Sequence, residues 1–564
     1  MKMYKISFII FTLLIFARPS FGRSQPALPA EVPEKVVLIT DRSIYITGEQ
    51  VKFFASVSIG NDFNAPLQSR ILYCEIIAPD GNKIAGNKFL IENASVDGCV
   101  EIPNSLLTGT YYLRAYTKLM RNSGPETYGY NQIKIINPER IETLTPDNHQ
   151  NLSVVQIGQN HESENQDILS VSSDKKIYAA RDTISVSILQ QENNPDNWVN
   201  GLCLSVVPEN TQSIPVVLQS SKKMLNGKEV YFSETRGLSV TGKITDASSG
   251  LPIYDKKVNL SIIGDGRDFM AARTDSLGRF FFALPDYTGA RDLFICTEKM
   301  DSVKAKIWVD NDYSAVPFRL PSPAFKISDT ERETVQNMAM NAQISSVYYN
   351  DSLLLITGAK AERLAFYGVP TATIYIDQYI QLPTLEEYFN ELPSEVKVRT
   401  RKGQPHFAVL GTRGVSFYDP LVMVDWVAID EPSKVLAVSP QNIQRIEVEK
   451  DDYVKGGQTY GGIISIISRK GDFAGIDLPS TGIFVNYQFL DNSNCGTPVY
   501  DNINTHPDSR NTILWKPGLR IKSGKSEKYS FTVPDTPGKY NIVLEGINSK
   551  GETFSVISAF EVKN

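Results

Sequence analysis

The segment Asp41-Arg-Ser-Ile-Tyr-Ile-Thr-Gly-Glu-Gln-Val-Lys-Phe53 decides how this chain is expected to fold. A charged turn leads to an aromatic residue, and a short loop then leads to a strand in which apolar and polar residues alternate. The same order returns at Asp174-Lys-Lys-Ile-Tyr178, before an alternating segment that holds Ile184 and Val186. Alternation with a period of two indicates a half-buried strand, and self-similarity along a chain indicates repeated structural units. The sequence therefore predicts at least two similar β domains.

A second echo supports this repetition. Gly109-Thr-Tyr111 and Gly538-Lys-Tyr540 each open a strand-like segment near the end of an expected domain, although unrelated sandwiches share such turns because turns use few residue types. Between them, short β-branched and aromatic runs alternate with turn residues, as is typical of β-sandwiches. Helical periodicity is clearest over residues 328–350, where Thr330 is the expected cap.

The first residues have the pattern of a secretion signal. Lys2 and Lys5 precede an apolar run over residues 6–17, and Ser20-Phe21-Gly22 offers small residues where a signal peptidase cleaves. The run is shorter than the ~20 residues of a membrane-spanning helix, and no later stretch approaches that length. We therefore expect an exported protein of the periplasm or outer membrane, with the cell surface as a further location. The net charge of -6 over 564 residues argues against a nucleic-acid partner.

Two regions resemble known sandwich modules. Residues 41–53 and 106–116 resemble the beginning and end of the macroglobulin-like domain called MG2 in the alpha-2-macroglobulin family, and the second copy departs from that signature at Arg181. Residues 238–246, followed by the turn and hairpin over residues 250–280, resemble the carboxypeptidase regulatory-like sandwich. The resemblance implies non-catalytic accessory modules.

A third resemblance concerns function most directly. Residues 419–425, 443–448 and 461–471 resemble, in order and spacing, the plug domain of TonB-dependent outer-membrane receptors. A receptor of that class needs a barrel of about 22 strands after its plug. Because 93 residues follow Gly471, we do not expect this chain to be such a transporter by itself. The module order resembles that of macroglobulin and plug-type proteins of the Bacteroidetes cell envelope.

Together these patterns predict a mostly β chain, with tandem immunoglobulin-like or macroglobulin-like β-sandwiches and one α+β plug-like domain. The expected division is a signal peptide (1–22), an MG2-like sandwich (33–138), a second macroglobulin-like sandwich (150–235), a carboxypeptidase regulatory-like sandwich (236–312), a helical linker region (313–367), a plug-like domain (368–475) and a C-terminal sandwich-like domain (480–564).

Four residues are candidates for a special role. Cys74 and Cys99 fall in one expected sandwich, and an oxidising compartment would let them bond, with buried free thiols as the alternative. Trp426 and Trp515 are candidate anchors for a partner. The alternative for Trp426 is a ring that lies over the local core.

The sequence shows no constellation typical of an enzyme. It lacks zinc, nucleophile-elbow, Walker and Rossmann motifs, and Cys495 lacks the Gly-Glu-Gln neighbour that a macroglobulin thioester needs. No metal or cofactor is expected. Asp310 and Asp312, like Asp451 and Asp452, are interpreted as carboxylates of solvated turns.

The prediction is a non-enzymatic cell-envelope scaffold or binding protein that docks on an outer-membrane barrel protein or envelope complex. One alternative is a glycan- or peptide-binding accessory protein of a nutrient-uptake system, which requires an exposed aromatic platform. Another is a hydrolase whose site is built from scattered carboxylates, which requires a pocket with two facing carboxyl groups.

Overall fold

The structure is a computed structural model that describes most of the chain. The predicted signal peptide lies outside the described residues. The described residues are 34–60, 62, 66–145, 153–156, 169–190, 198–219, 231–264, 268–300, 303–316, 318–348, 364–412, 414–491, 493, 495–496, 506–521, 524–548 and 553–563.

In the first half of the chain, the regular structure of the described residues is mainly β-strand. The first eight are β1 (Glu34–Thr40), β2 (Ile44–Ile46), β3 (Gln50–Ile59), β4 (Ile71–Ile77), β5 (Lys83–Leu90), β6 (Ser95–Glu101), β7 (Gly109–Tyr116) and β8 (Gly129–Ile136). The next six are β9 (Ser153–Gln156), β10 (Leu169–Ser173), β11 (Ile177–Ala179), β12 (Thr183–Gln190), β13 (Trp198–Pro208) and β14 (Pro215–Gln219). Six more follow before the first long helix: β15 (Ser239–Asp246), β16 (Lys257–Ile262), β17 (Asp268–Arg273), β18 (Arg279–Ala283), β19 (Ala290–Thr297) and β20 (Ala305–Val309).

The second half opens with the long helix α1 (Asp329–Tyr348) and then mixes helices with strands. Its middle part contains β21 (Ala372–Tyr375), α2 (Leu385–Glu391), β22 (Val396–Arg401), β23 (Gln404–Gly411), β24 (Gly414–Val415), β25 (Leu421–Val424), β26 (Val427–Ala428), α3 (Pro432–Leu436), β27 (Ile443–Glu449), β28 (Tyr453–Lys455), β29 (Gln458–Tyr460) and β30 (Ile463–Ser468). The chain ends with β31 (Ile483–Gln488), β32 (Leu514–Leu519), β33 (Ser526–Thr532), β34 (Gly538–Asn548) and β35 (Thr553–Lys563).

The first two sandwiches share one topology. In the first, β1-β3-β6 faces β5-β4-β7-β8, and β2 pairs in parallel with β8. In the second, β10-β12-β33 faces β32-β13-β34-β35, and β11 pairs in parallel with β35. Strands β32 to β35 thus take the places of β5 to β8, so the second sandwich is a copy of the first that is completed from the C-terminal end of the chain.

The repeated sequence motif makes the same hydrogen bonds in both copies. The Tyr45 hydroxyl donates to Asp41 Oδ1 at 2.7 Å, and the Tyr178 hydroxyl donates to Asp174 Oδ1 at 2.8 Å. In each copy that carboxylate also accepts a backbone N–H from the following strand. The Gly-x-Tyr echo opens β7 and β34, where each tyrosine hydroxyl donates to a carbonyl four residues earlier. The predicted domain repetition is confirmed.

The expected separate C-terminal domain over residues 480–564 is wrong. Strand β33 pairs with β12, and β34 pairs with β13, so the final strands fill the second sandwich that was expected to end near residue 235. Strand β31 instead joins the third sandwich, where β18-β15-β20 faces β17-β16-β19-β31. The sequence analysis missed this because the local sequence of a strand does not show whether the strand with which it pairs lies near or far along the chain.

The third sandwich carries the α+β domain as a second insertion. This domain holds the mixed sheet β21-β27-β30-β25-β26, the smaller sheet β22-β23-β24 and helices α2 and α3. Its contact with the third sandwich is apolar, with buried Phe269 and Ala271 of β17 packed in one cluster with Met423, Tyr460 and Ile463. The predicted mostly β fold class, with tandem sandwiches and one α+β domain, is confirmed.

A buried ionic cluster joins the first and third sandwiches. Lys88 donates to Asp312 Oδ2, and Lys118 lies 3.8 Å from the other oxygen of that carboxylate and 3.6 Å from Glu234 Oε1. Burial works to raise the pKa of Asp312, but the adjacent ammonium groups outweigh it and hold that pKa below its usual value. Asp312 therefore does not lie in the expected solvated turn, because the turn folds back between the two sandwiches.

Helix α1 is held by both neighbouring sandwiches and is not a free linker. Its cap is Ser328 instead of the expected Thr330, because the Ser328 hydroxyl accepts from the Glu331 N–H while the Glu331 carboxylate accepts from the Ser328 N–H. Val335 and Met338 pack on apolar residues of the first sandwich, namely Ile44, Ile46 and Ile136.

One asparagine links this helix to both sandwiches. Asn511 Nδ2 donates to Glu49 Oε1 at 2.7 Å and to the Met338 carbonyl at 3.0 Å. Asn341 in the helix donates to Asn511 Oδ1 and accepts from the Thr536 hydroxyl. These buried or half-buried amides satisfy one another, so they fix the helix between the first and second sandwiches.

The expected disulfide between Cys74 and Cys99 is not formed. Cys99 is bonded instead to Cys495, with the Cα atoms 5.5 Å apart, while Cys74 is a buried free thiol. Successive side chains of a strand point to opposite faces: Cys74 belongs to the apolar core, whereas Cys99 alternates with the core residue Val100 and points away from it. The bond ties the first sandwich to the returning segment, which Lys52 also holds through the carbonyl of Cys495.

We expect removal of residues 514–564 to unfold the second sandwich, because β12 and β13 lose partner strands in both sheets. Limited proteolysis with mass spectrometry of the fragments measures this as new cleavage within residues 169–208. Unchanged protection of that segment in the truncated chain would contradict the shared sandwich.

We expect Asp312→Ala to lower the free energy of unfolding by about 3–5 kcal/mol, because Lys88 and Lys118 remain buried without this partner. Urea denaturation followed by circular dichroism measures the change. The matched control is Asp329→Ala, whose side chain is 97% exposed in the first turn of α1 and which should change stability by no more than about 0.5 kcal/mol. Similar effects of the two variants would contradict the role of the cluster.

Candidate interaction surface

The small sheet β22-β23-β24 has one covered face and one open face. On the covered face Val396, Phe407 and Val409 are buried, and the Phe407 ring lies 5.0 Å from that of Phe389 in α2. Pairing of Arg401 with Gln404 leaves a two-residue turn, Lys402-Gly403, in which both φ angles are positive. This is the turn geometry that matches the twist of a β-hairpin. The side chains that alternate with these buried residues along the two strands point outward.

The open face carries four cations at its tip. Lys397, Arg399 and Arg401 lie on the same side of β22 because they alternate with the buried positions, and Lys402 follows in the turn. All four are exposed. Among the described residues no carboxylate forms an ion pair with any of them, so the tip is a positive patch on a chain of negative net charge.

The other end of the same face is apolar. Leu410 and Val415 are cross-strand partners, each about half exposed. Phe417 is 96% exposed, and its ring packs edge-on against Tyr418 at 5.9 Å. The segment is fixed to the face because His406 Nε2 lies 3.2 Å from Asp419 Oδ1.

We call this surface the hairpin face. It consists of Lys397, Arg399, Arg401, Lys402, Leu410, Val415, Phe417 and Tyr418. Exposed aromatic side chains next to arginines are the residue types that carry most binding energy in protein interfaces. The face was missed at the sequence level, although the alternation Val-Lys-Val-Arg-Thr-Arg over residues 396–401 marks a strand with one apolar side and one cationic side.

The two tryptophans proposed as anchors are buried between domains. Trp426 is 5% exposed, its ring lies 6.2 Å from that of Tyr367, and its carbonyl accepts a hydrogen bond from Ser261 of the third sandwich. Trp515 is 7% exposed and packs where the first and second sandwiches meet, with Phe54 and Cys203. Neither ring is available to a partner, because the domains pack on it.

Trp426 also adopts an unusual backbone conformation. It forms, with Asp425, the two-residue turn between β25 and β26, and the φ angles are 45° for Asp425 and 73° for Trp426. The turn is held by the Asp425 carboxylate, which accepts from the Ser468 N–H and hydroxyl and from the Phe473 N–H. The left-handed region normally favours Gly or Asn, so the packing of the ring is maintained against a local strain.

A cavity of about 260 Å³ lies between α1 and the second sandwich and brings two carboxylates near each other. Asp508 is bound by Arg510, and Asp535 is bound by Arg181 through both oxygens. The hydrogen bonds from Arg181 hold the pKa of Asp535 below its usual value. A general acid needs a raised pKa, so Asp535 has the opposite electrostatic character. Within the described ranges no cluster of His, Cys, Asp and Glu could hold a metal ion.

Comparison with known proteins adds distant structural neighbours. No protein-family model matches the chain, and no curated protein matches it. Matching structures include the Salmonella alpha-2-macroglobulin reacted with methylamine, at 10% identity and a TM-score of 0.21, where the match covers 94% of this chain and 40% of that chain. They also include the Escherichia coli alpha-2-macroglobulin activated by porcine elastase, at 12% identity and a TM-score of 0.23, where it covers 94% and 44%.

This chain therefore spans less than half the length of either macroglobulin. In the part of the chain that the structure describes, no helix has the length and apolar character needed to cross a membrane.

We expect Trp426→Ala to be less stable than Trp426→Gly by about 1 kcal/mol. Both changes remove the ring and its packing, but only Gly adopts the positive φ without the cost of about 1–2 kcal/mol that a Cβ brings. Urea denaturation of the two variants side by side measures the difference. Equal stabilities would contradict a strained turn at this position.

Proposed function

We propose that this protein is a non-enzymatic scaffold of the cell envelope that docks on an outer-membrane protein or complex through the hairpin face. The observation that carries the proposal is the open face itself, on which four exposed cations adjoin four exposed apolar side chains. Such a surface suits a partner with an acidic patch beside an apolar pocket, because charges steer the encounter while buried aromatic rings supply affinity.

The way the α+β domain is mounted supports a presenting role. Its C-terminal end leads to β31 of the third sandwich, and the chain reaches its N-terminal end from β20 of that sandwich by way of α1. The apolar contact around Phe269 and Met423, the Ser261 to Trp426 hydrogen bond and the ion pair of Lys257 with Asp430 all cross the same interface. A rigid mount lowers the conformational entropy that the domain loses when a partner binds.

Two sequence features supply the proposed location. The signal-like residues 1–22 indicate export, and the segments in β25, β27 and β30 resemble the strands of a receptor plug. We propose that the domain retains the plug's association with an outer-membrane protein and acts as a docking module.

The test is crosslinking of the tagged full-length protein in intact cells, followed by purification and mass spectrometry that locates the crosslinked residues. The test variant combines Lys397→Glu, Arg399→Glu, Arg401→Glu, Lys402→Glu and Phe417→Ser. We expect the wild-type protein to recover an outer-membrane protein in stoichiometric amount through residues 397–418, and the variant to lose at least nine-tenths of it.

A matched control keeps the same change in charge and loses one exposed ring elsewhere. It combines Lys516→Glu, Lys525→Glu, Lys528→Glu, Lys539→Glu and Phe232→Ser, all at exposed positions, and should retain the partner. Equal loss in both variants would show a general charge effect. Crosslinks confined to the sandwiches would also overturn the proposed docking surface.

A further inference from the structure

The open face of the third sandwich holds an unusual group of side chains. Sheet β18-β15-β20 packs its inner side chains, such as Val240, Phe280 and Ile307, into the core. The outer side chains of the same strands include two aromatic rings, Phe281 at 49% exposure and Trp308 at 46%. Large apolar rings on the solvent face of a sheet forgo the favourable free energy of transfer out of water unless something covers them.

The two rings stand on the outer strands with the central strand between them. Phe281 is the partner of Thr241, and Trp308 is the partner of Lys243, so the rings occupy neighbouring rows on opposite sides of β15. Strand spacing places their backbones about 10 Å apart across the sheet and about 7 Å apart along it. A ligand with a single ring cannot cover both positions, whereas an extended oligomer can.

Cations fill the space between the rings. Lys243 lies directly opposite Arg279 on one side and Trp308 on the other, and like charges directly opposite each other destabilise a sheet. Lys306 adds a third cation, with its Nζ atom 3.9 Å from the centre of the Trp308 ring. Asp275 pairs with Arg279, but among the described residues Lys243 has no ion pair. Lys243 thus lies beside the Arg279 charge without an ion pair of its own among these residues, and an anion lying over the face would supply one.

Hydrogen bonds hold the polar groups of this face in place. The indole N–H of Trp308 donates to Thr245 Oγ1 at 3.2 Å, and the Thr241 hydroxyl donates to Asp310 Oδ2 at 2.6 Å. Fixed aromatic rings and fixed polar groups on a rigid sheet lower the cost of ordering a ligand.

We propose that this face, which we call the aromatic platform (Thr241, Lys243, Arg279, Phe281, Lys306 and Trp308), binds an acidic polysaccharide. The apolar faces of sugar rings stack on Phe281 and Trp308, and the carboxylate or sulfate groups of the polymer lie against Lys243, Arg279 and Lys306. A polymer of charged sugars supplies both features along one extended chain. The platform is separate in sequence and in domain from the hairpin face.

The test is isothermal titration of the full-length mature protein with oligomers of polygalacturonate and of chondroitin sulfate. Methyl-esterified polygalacturonate serves as the uncharged match, and single-stranded DNA serves as an equally charged polymer of another class. We expect binding to at least one of the two acidic polysaccharides, at least tenfold weaker binding to the esterified polymer, and affinity that falls with added salt.

Four variants distinguish stacking from charge and from folding. Trp308→Ala should weaken binding at least tenfold, while Trp308→Tyr should restore most of it because a flat ring remains. Lys243→Gln should weaken binding and reduce its salt dependence. Tyr254→Ala, which removes another exposed ring of the same sandwich, should leave binding unchanged.

Three results would overturn the proposal: no binding to either polysaccharide, binding that survives Trp308→Ala, or DNA binding that is equally tight and equally dependent on Trp308. Thermal unfolding of each variant shows whether the sandwich remains folded. The hairpin-face variant should keep full polysaccharide binding, so the platform and the docking proposal can fail independently.

Discussion

Strands β11 to β13 find partners near the C-terminal end of the chain, where Ile184 pairs with Phe531 and Val206 with Ile542. This pairing is the constraint on which the architecture depends, because everything between residues 209 and 513 must leave the second sandwich and return to it. The inserted segment adds β14 to the first sandwich, forms the third sandwich and carries the α+β domain. The disulfide of Cys99 with Cys495 and the amide of Asn511 then fix the return path.

The sequence revealed that a sandwich is repeated, but it did not reveal that strands from far along the chain complete the second copy. Asp41 with Tyr45 and Asp174 with Tyr178 mark the starts of two equal folds, since each pair makes the same local hydrogen bond. The echo at Tyr540 belonged to the second copy and was assigned to a separate domain. Local patterns report strands, turns and periodicity, whereas long-range pairing depends on which edges remain unsatisfied after the nearer strands have paired.

The candidate sites likewise divide into features that depend on contacts between domains and features that depend on local sequence. The burial of Trp426 and Trp515 and the ion pairs of Asp312 arise from contacts between domains, so no local pattern revealed these contacts. For Trp426 the sequence left a partner anchor and a ring over the local core as alternatives. The hairpin face and the aromatic platform are local, because strand alternation alone separates Arg399 from Val396 and Trp308 from Ile307. Those two surfaces could have been predicted from the sequence by assigning an inner and an outer side to each strand.

The late completion of the second sandwich has a consequence for biogenesis. A chain synthesised from its N-terminus presents β12 and β13 long before β33 and β34 exist to pair with them. During that interval two strand edges and an unfinished apolar core are open to wrong partners, and contacts so distant in sequence form slowly. The first sandwich, whose strands are all neighbours, can fold at once and act as a base. Folding of this protein is thus an ordered assembly, in which β32 to β35 close a sandwich whose first strands are synthesised much earlier.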